Sequence, residues 1–334
     1  MVFSVLGLDI GGANLKAAHS SGVARLQPFE LWKRPAELPQ ALGKLLQAMP
    51  DFDLLAVTMT GELCDCFKHR RQGVCTILDA VDSVAKARPV SVWLNCGRFV
   101  ELAAARAVPL RAAAANWLAL ACFAGRFAPQ GPALIIDVGS TTTDIVPLLD
   151  GKPMPRGLTD RKRMHLGELV YTGVRRTPLC ALLGSAVAAE LFATTLDAYL
   201  LLGQISQDEA DVGTADGRPA TIPHARTRLA RMLCADGASC PARALHRLAH
   251  AVSARQRQLL RNALGRVAGR LPSRPSTILV AGSGEFLAHK VLDTLPDLGQ
   301  NRISLADRLG EEISQAACAY ALAILAAEDT LNGK

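Results

Sequence analysis

The stretch Leu8-Asp9-Ile10-Gly11-Gly12-Ala13-Asn14-Leu15-Lys16 decides the fold of this 334-residue chain, because its pattern occurs a second time. The second copy is Ile136-Asp137-Val138-Gly139-Ser140-Thr141-Thr142-Thr143-Asp144. Each copy places an aspartate at the end of an apolar run, then a glycine turn, then another apolar stretch, which predicts a β-hairpin. Glycine turns let backbone N–H groups approach an anion, and a neighbouring aspartate can hold a divalent cation. Two such turns facing each other predict a clamp for a metal-bound diphosphate or triphosphate.

Composition places the chain among globular proteins with sizeable cores. Half of the residues are hydrophobic, only 4% are aromatic, and the length predicts about two domains. The net charge is +7, but lysine and arginine are scattered and do not alternate with aromatic side chains. This distribution argues against nucleic-acid binding, which needs a clustered basic surface or stacking platforms. A small anionic substrate explains the positive charge more simply.

The cysteines and the apolar segments predict a cytoplasmic protein. The chain has nine cysteines and no C-x-x-C pair, so a zinc ribbon is not expected and free, mostly buried thiols are. The first residues, Met1 to Leu8, lack the basic start of a secretory signal. No apolar run reaches the ~18 residues that a membrane span requires. We therefore expect no membrane association.

The remaining chain alternates predicted strands and helices, which is typical of an α/β fold with mixed sheets. Helices are predicted over 99–107 and 110–127, and a surface loop over 208–223. The stretch 127–132 is rich in proline and glycine, and the strand, hairpin and helix pattern starts again after it. We therefore place the main domain boundary there.

A third glycine turn, Gly282-Ser283-Gly284, follows a predicted strand and opens a helix, whose N-terminus favours anions. Taken alone, each of the three turns is also compatible with an ordinary structural turn. Together they form one predicted phosphate-binding set. Its members are Gly11, Gly12, Asn14 and Lys16 in the first turn, Gly139, Ser140, Thr141 and Thr142 in the second, and Gly282, Ser283 and Gly284 in the third.

Other polar residues follow apolar segments and are candidates for the same cleft. Glu62 and Asp65 stand at the end of a predicted strand, where they either bind a metal, take a proton, or cap a helix. Asn116 either lines the cleft or caps a helix. The basic residues of the segment after the second hairpin either confer specificity or form a solvated surface; they are Arg161, Lys162, Arg175 and Arg176.

The order of these motifs resembles the actin, sugar kinase and Hsp70 superfamily over essentially the whole chain. Within it, the string from Asp137 to Ile145 is similar to the hydantoinase A and oxoprolinase branch. Three strings resemble the tetrahydromethanopterin-linked one-carbon pathway proteins of methanofuran and methylofuran biosynthesis. They are Thr58-Met59-Thr60-Gly61-Glu62-Leu63-Cys64-Asp65, Ala114-Ala115-Asn116-Trp117 and Tyr171-Thr172-Gly173-Val174-Arg175-Arg176-Thr177-Pro178.

The resemblance implies two ribonuclease H-like domains around a central cleft, namely 1–130 with a C-terminal helix at about 306–334, and 131–305. It implies a transferase that joins an aminomethyl-furanmethanol diphosphate to γ-glutamyltyramine and releases diphosphate without ATP. Asp9, Asp137 and Asp144 would then hold Mg²⁺, and Lys16 would neutralise the leaving group.

The resemblance also assigns roles to the remaining candidates. Glu62 or Asp65 would be the base, and Asn116, Arg161, Lys162, Arg175 and Arg176 would bind the substrates. Two other functions remain open: an ATP-dependent kinase or amidohydrolase, and a non-catalytic nucleotide-binding scaffold. The sequence also leaves open whether the protein forms a homodimer.

Overall fold

The first half of the chain builds one mixed β-sheet. The computed structural model describes residues 3–332, and the first sheet has the strand order β3-β2-β1-β4-β5-β6. Strands β1, β4 and β5 are parallel, whereas β2, β3 and β6 join by antiparallel pairing. The strands are β1 Val5–Ile10, β2 Asn14–His19, β3 Ala24–Pro28, β4 Leu54–Met59, β5 Val90–Trp93 and β6 Phe99–Glu101.

The second half repeats this arrangement. Its sheet has the order β10-β8-β7-β11-β12, with β9 paired to β8. The hairpin β7–β8 is antiparallel and β7, β11 and β12 are parallel, as β1–β2 and β1–β4–β5 are in the first sheet. The strands are β7 Pro132–Val138, β8 Thr143–Leu149, β9 Lys152–Pro153, β10 Leu169–Val170, β11 Thr277–Ala281 and β12 Asn301–Ser304. This repeat confirms the predicted α/β class with two ribonuclease H-like sheets.

Helices cover the two sheets. In the first half they are α1 Leu38–Gln47, α2 Arg70–Ala85, α3 Leu102–Ala107, α4 Pro109–Ala112 and α5 Asn116–Ala124. They continue with α6 Asp160–Leu166, α7 Leu179–Leu183, α8 Thr195–Leu201, α9 Ile222–Met232, α10 Ala242–Ala268 and α11 Glu285–Leu292. The last are α12 Leu305–Leu309, α13 Glu311–Gln315 and α14 Ala317–Asn332. Across residues 3–332, no helix is both long and apolar enough to cross a membrane.

The last helix, α14, packs on the first sheet. A Cβ added at Gly7 in β1 would lie 1.9 Å from the carbonyl oxygen of Ala319, so the helix and strand backbones are in close contact. The alanines of this helix permit that approach because they add little volume between the two backbones. The predicted domain limits stay a prediction, and residues 1–2 and 333–334 within them lie outside the described residues.

One apolar core reaches both sheets. It contains Val5 of the first sheet and Ile135 of the second, with Trp117 of α5 and Leu322 of α14 between them. Burial of such side chains stabilises a fold by roughly 25 cal/mol per Å² of apolar surface. The two hairpins are therefore held by a common apolar core.

Two helix predictions were wrong in part. Phe99 and Val100, predicted as helix, form β6 because Val100 pairs with Val92 on the edge of the first sheet. The helix predicted over 110–127 is interrupted before Asn116, where Ala114 has a positive φ of 46°. The Ala114 N–H donates to the carbonyl of Met59 at 3.1 Å, so pairing with the end of β4 replaces a helical hydrogen bond.

Candidate active site

The two repeated motifs form matching hairpins. Asp9 pairs with Lys16 across β1 and β2, and Asp137 pairs with Asp144 across β7 and β8. The turns close in the same way, since Gly11 N donates to Asn14 O at 3.0 Å and Gly139 N donates to Thr142 O at 2.9 Å. Each predicted strand-turn-strand unit is thus confirmed, and the two hairpins share the same register.

Charged groups of the two hairpins influence each other. The positive charge of Lys16 opposes the rise in the pKa of both Asp9 and Asp137, and the charge of Asp9 adds to the rise for Asp137. Charge interactions weaken with distance, so Asp9, Lys16 and Asp137 belong to one region of the structure. That these turns form a clamp stays a prediction.

Asp9 is buried at the end of β1. Burial raises its pKa above the ordinary value, and the nearby Lys16 and a hydrogen bond from Asn116 act in the opposite direction. Asn116 Nδ2 lies 3.4 Å from Asp9 Oδ2, whereas Asp9 Oδ1 is buried and has no hydrogen-bond partner among residues 3–332. A buried carboxylate oxygen without a partner is costly. Asn116, the first residue of α5, therefore contacts Asp9, and the other oxygen of Asp9 is a candidate ligand for a cation.

Asp137 lies beside the third glycine turn. Burial and the neighbouring charge of Asp144 raise the pKa of Asp137 to about 7. Gly282 has φ +87°, and a Cβ added there would lie 2.3 Å from Asp137 Oδ1 and 2.4 Å from the carbonyl oxygen of Val138. Gly284 N donates to the same Val138 carbonyl at 2.9 Å. The turn at 282–284 therefore contacts the second hairpin, and only glycine fits at position 282.

Asp144 is engaged by a buried arginine rather than free for a metal. Its Oδ1 lies 2.8 Å from Nη1 of Arg163, a side chain of α6 that is 1% exposed. The guanidinium carbon of Arg163 lies 3.8 Å from the ring centre of Trp117, and its Nη2 donates to the carbonyl of Glu168 at 3.0 Å. This pairing neutralises Asp144 and removes it from the expected ligand set of Asp9, Asp137 and Asp144.

Two carboxylates remain suited to a divalent cation. Over residues 3–332 no cluster of three or more histidine, cysteine, aspartate or glutamate side chains is arranged to hold a metal. Mg²⁺ commonly binds one or two protein carboxylates and completes its shell with water and substrate phosphates. Asp9, with its unpaired buried oxygen, and the neighbouring Asp137 fit that requirement.

Glu62 has a partner that the sequence did not reveal. Its carboxylate is 1% exposed and lies 2.9 Å from Arg70 of α2, which also pairs with Asp160 of α6. Burial raises the pKa of Glu62, and Arg70 opposes that rise. Arg70 therefore links Glu62 and α2 in the first half of the chain to α6 in the second half.

Asp65 is exposed in the loop that follows β4. Its charge contributes to the raised pKa of Cys64, whose value of about 11 is due first to burial. A Cβ added at Gly12 would lie 2.8 Å from the sulfur of Cys64, so this loop contacts the first glycine turn. Asp65 therefore belongs to a loop that borders the site.

The predicted substrate-binding arginines have different surroundings. Arg175 forms an ion pair with Asp211, whereas the guanidinium carbon of Arg176 lies 4.8 Å from the ring centre of Trp32. Arg176 also influences the pKa of Cys64, so its side chain reaches the loop beside the first turn. Arg161 and Lys162 lie exposed on α6. Trp32 was missed because nothing in its local sequence distinguishes it from a core tryptophan.

Two cavities lie away from this site. One, of about 320 Å³, is lined by Pro147, Met154 and Arg270 among others. Another, of about 490 Å³, is lined by residues that include Arg261 and Leu295. The first cavity lies near the open end of the β7–β8 hairpin, away from the turn that joins the two strands. The site is therefore assigned by its chemistry and by the convergence of the turns.

Comparison with known proteins agrees with this architecture. The chain belongs to the hydantoinase/oxoprolinase family, whose sequence model matches residues 53–328.

Two curated relatives carry one and the same name, (4-{4-[2-(γ-L-glutamylamino)ethyl]phenoxymethyl}furan-2-yl)methanamine synthase. The relative from Methanocaldococcus jannaschii is 32% identical over 97% of this chain and 98% of its own length. The relative from Methanococcus vannielii is 30% identical over 60% of this chain and 93% of its own length.

Solved structures with a similar course of the chain include two nucleotide complexes. The activator of the 2-hydroxyisocaproyl-CoA dehydratase from Clostridium difficile with bound ADPNP matches with a TM-score of 0.48 and 9% identity, over 99% of this chain and 98% of that one. An archaeal actin homologue in complex with ADP also matches with a TM-score of 0.48, at 13% identity over 98% of this chain and 100% of that one.

Proposed function

We propose that this chain is a transferase that condenses an aminomethyl-furanmethanol diphosphate with γ-glutamyltyramine and releases diphosphate. The product would be the phenoxymethyl-furan methanamine for which the curated relatives are named. The observation that carries the proposal is that Asp9 and Asp137 stand at corresponding positions of two matching glycine turns, with Lys16 opposite Asp9 and acting on the pKa of both aspartates. Such a site suits a diphosphate that leaves, and this substrate carries its own.

The turns would bind the leaving group. Backbone N–H groups around Gly12 and Thr141, together with the Lys16 ammonium, would meet the negative charge that grows as the C–O bond breaks. Asp9 and Asp137 would hold Mg²⁺, which neutralises diphosphate charge when bound. The furan ring stabilises a positive charge on its methylene carbon, so C–O cleavage can run ahead of attack by the phenol oxygen.

The phenol must lose its proton during the reaction. A phenol titrates near pH 10, so a base assists at neutral pH. Of the two predicted bases, we assign this role to Asp65, because Glu62 is buried and held by Arg70. Arg176, which lies over Trp32 instead of pairing with an acid, would meet the glutamyl carboxylates.

The decisive experiment mixes the purified protein with the furan diphosphate, γ-glutamyltyramine and Mg²⁺ in the absence of ATP. We expect stoichiometric release of diphosphate and a coupled product of the corresponding mass. Strict dependence on ATP with formation of ADP would instead refute the proposal and favour a kinase or amidohydrolase.

Residue changes test the clamp in the same assay. Asp9→Asn and Asp137→Asn should each lower turnover on the order of 10²-fold or more, because each removes a charged oxygen ligand. Asp329→Asn, at an exposed position of α14, is the matched control and should leave turnover unchanged. Wild-type rates in both site variants would contradict the assignment of the metal to these aspartates.

A further inference from the structure

The second glycine turn rests on a backing segment, which we define as Thr172–Thr177. Val174 N donates to the carbonyl of Gly139 at 3.0 Å, and the N–H groups of Arg175 and Arg176 donate to the carbonyl of Ser140 at 3.0 and 2.9 Å. A Cβ added at Gly173 would lie 2.5 Å from Gly139 O and from Thr141 N. Because the two backbones touch, any displacement of the backing segment displaces the turn.

A buried glutamine of α10 holds the backing segment from behind. Gln256 is fully buried, and its Nε2 donates to Thr172 Oγ1 at 2.7 Å and to Gly173 O at 2.9 Å. Its Oε1 accepts a hydrogen bond of 2.7 Å from the Tyr199 hydroxyl. The orientation of the amide is determined by Gly173, because a backbone carbonyl can only accept and therefore requires the NH₂ group.

The apolar neighbours of Gln256 show that the polar side chain is not needed for packing alone. Val252 and Leu260 lie one turn before and after it on α10, and both are buried. An unpaired amide at this position would be unfavourable, so its hydrogen bonds to the backing segment are what make it compatible with the core. Thr195 of α8 donates to the same Gly173 carbonyl at 2.8 Å.

We infer that Gln256 is a positioning residue for the phosphate site, acting through Gly173 on the turn 139–141 and through the backing segment on Arg176. The inference rests on the proposed function, since it assigns diphosphate to this turn. Gln256 itself contacts neither substrate. It sets the direction of the turn N–H groups, and electrostatic stabilisation depends strongly on such alignment.

The test compares Gln256→Leu with Leu260→Ala, a cavity-forming change one helical turn away in the apolar cluster that includes Val174, which leaves the Gln256 hydrogen bonds to the backing segment in place. The dissociation constant of inorganic diphosphate with Mg²⁺ is measured by calorimetry at a temperature where both variants are folded. We expect Gln256→Leu to raise it roughly tenfold, equal to about 1.4 kcal/mol. Leu260→Ala should lower thermal stability but leave the dissociation constant of diphosphate within about twofold of the wild-type value. That change is small compared with the roughly tenfold effect expected for Gln256→Leu.

Steady-state kinetics give a second readout. The KM for the furan diphosphate should rise in Gln256→Leu while the KM for γ-glutamyltyramine changes less. Equal diphosphate affinity in Gln256→Leu and Leu260→Ala would overturn the inference while leaving the proposed function intact. Failure of the wild-type protein to bind diphosphate would instead overturn the proposed function, and the inference with it.

A conservative variant keeps the test valid if Gln256→Leu does not fold. Gln256→Met preserves the length of the side chain but has no N–H for Gly173 O at any pH. We expect weaker diphosphate binding in this variant as well. Wild-type affinity in Gln256→Met would show that the hydrogen bond to Gly173 does not position the turn, and would overturn the inference.

Discussion

Replacing Arg163 tests how the second hairpin accommodates the carboxylate of Asp144, which the first hairpin lacks. Arg163 is 1% exposed and contacts Asp144 Oδ1 at 2.8 Å. It also stacks on Trp117, 3.8 Å from the ring centre, so its side chain fills a specific space in the core. Arg163→Met retains an unbranched apolar side chain there and removes only the charge and its hydrogen bonds. The variant therefore isolates the electrostatic role of the arginine.

The expected loss of stability is large. Breaking a buried ion pair by removing one partner costs about 3–5 kcal/mol, because the other charge stays buried without compensation. Asp144 is 16% exposed, so water offsets part of this cost and we expect about 3 kcal/mol. Burial already raises the pKa of Asp144, and loss of Arg163 should raise it further. A carboxyl whose pKa is higher in the folded than in the unfolded state loses stability as pH rises, so the defect should be greater at pH 8 than at pH 5.

Urea denaturation followed by circular dichroism measures this effect in Arg163→Met, Asp144→Asn and the double variant. The double variant removes the uncompensated Asp144 charge, so it should regain part of the stability that Arg163→Met loses. The coupling energy between the two changes should lie in the upper part of the roughly 0.5–3 kcal/mol range. Additive effects of the two changes would refute the reasoning. So would a defect in Arg163→Met that is independent of pH.

Three further predictions concern the turns and the charges around them. Gly282→Ala should abolish most turnover because its Cβ would meet Asp137 Oδ1 at 2.3 Å, whereas Gly131→Ala, also at positive φ but with nothing within 4 Å, should retain it. Thermal melting should show a loss of ~1–2 kcal/mol from backbone strain in Gly131→Ala. The loss in Gly282→Ala should be larger, because its Cβ would also lie 2.4 Å from the carbonyl oxygen of Val138. Arg176→Ala should raise the KM for γ-glutamyltyramine about tenfold, which corresponds to ~1.4 kcal/mol. Arg175 is already paired with Asp211, so Arg175→Ala should have a smaller effect. An equal or greater rise in Arg175→Ala would contradict the assignment of Arg176 to the glutamyl carboxylates. Asp137→Asn should raise the melting temperature of the metal-free protein more at pH 8 than at pH 5, because the wild type loses stability as pH rises from the ordinary carboxyl pKa of 3.8 to the folded-state pKa of about 7. The same gain at both pH values would exclude this explanation.

Local patterns sufficed to predict the hairpins, and long-range pairing explains what they missed. The apolar run, aspartate and glycine turn of residues 8–16 specify a hairpin within a few residues, so the register of Asp9 opposite Lys16 follows from turn length. Phe99 and Val100 were misassigned because their strand exists only through pairing with β5. Helical spacing alone cannot reveal that partner.

The charged residues behind the site show the same limit. Arg70 contacts Asp160, which lies 90 positions away in the sequence, and no local pattern links the two. Arg161 and Lys162 were predicted to be site candidates, but the adjacent Arg163 looks like them in the sequence until the fold turns it inward and leaves the other two exposed. The sequence therefore supplied the candidate motifs, while the tertiary structure showed which of their charges are paired.

The difference between the two hairpins determines the charge of the site. The position opposite the aspartate holds Lys16 in the first hairpin and Asp144 in the second. Because Arg163 neutralises Asp144, the charges that remain are those of Asp9, Asp137 and Lys16, which amount to one net negative charge when both aspartates are ionised. A single divalent cation would then make the site net positive and able to attract the proposed diphosphate, whereas an unpaired Asp144 would cancel that gain. The buried arginine would thus make a repeated acidic motif compatible with the proposed anionic substrate.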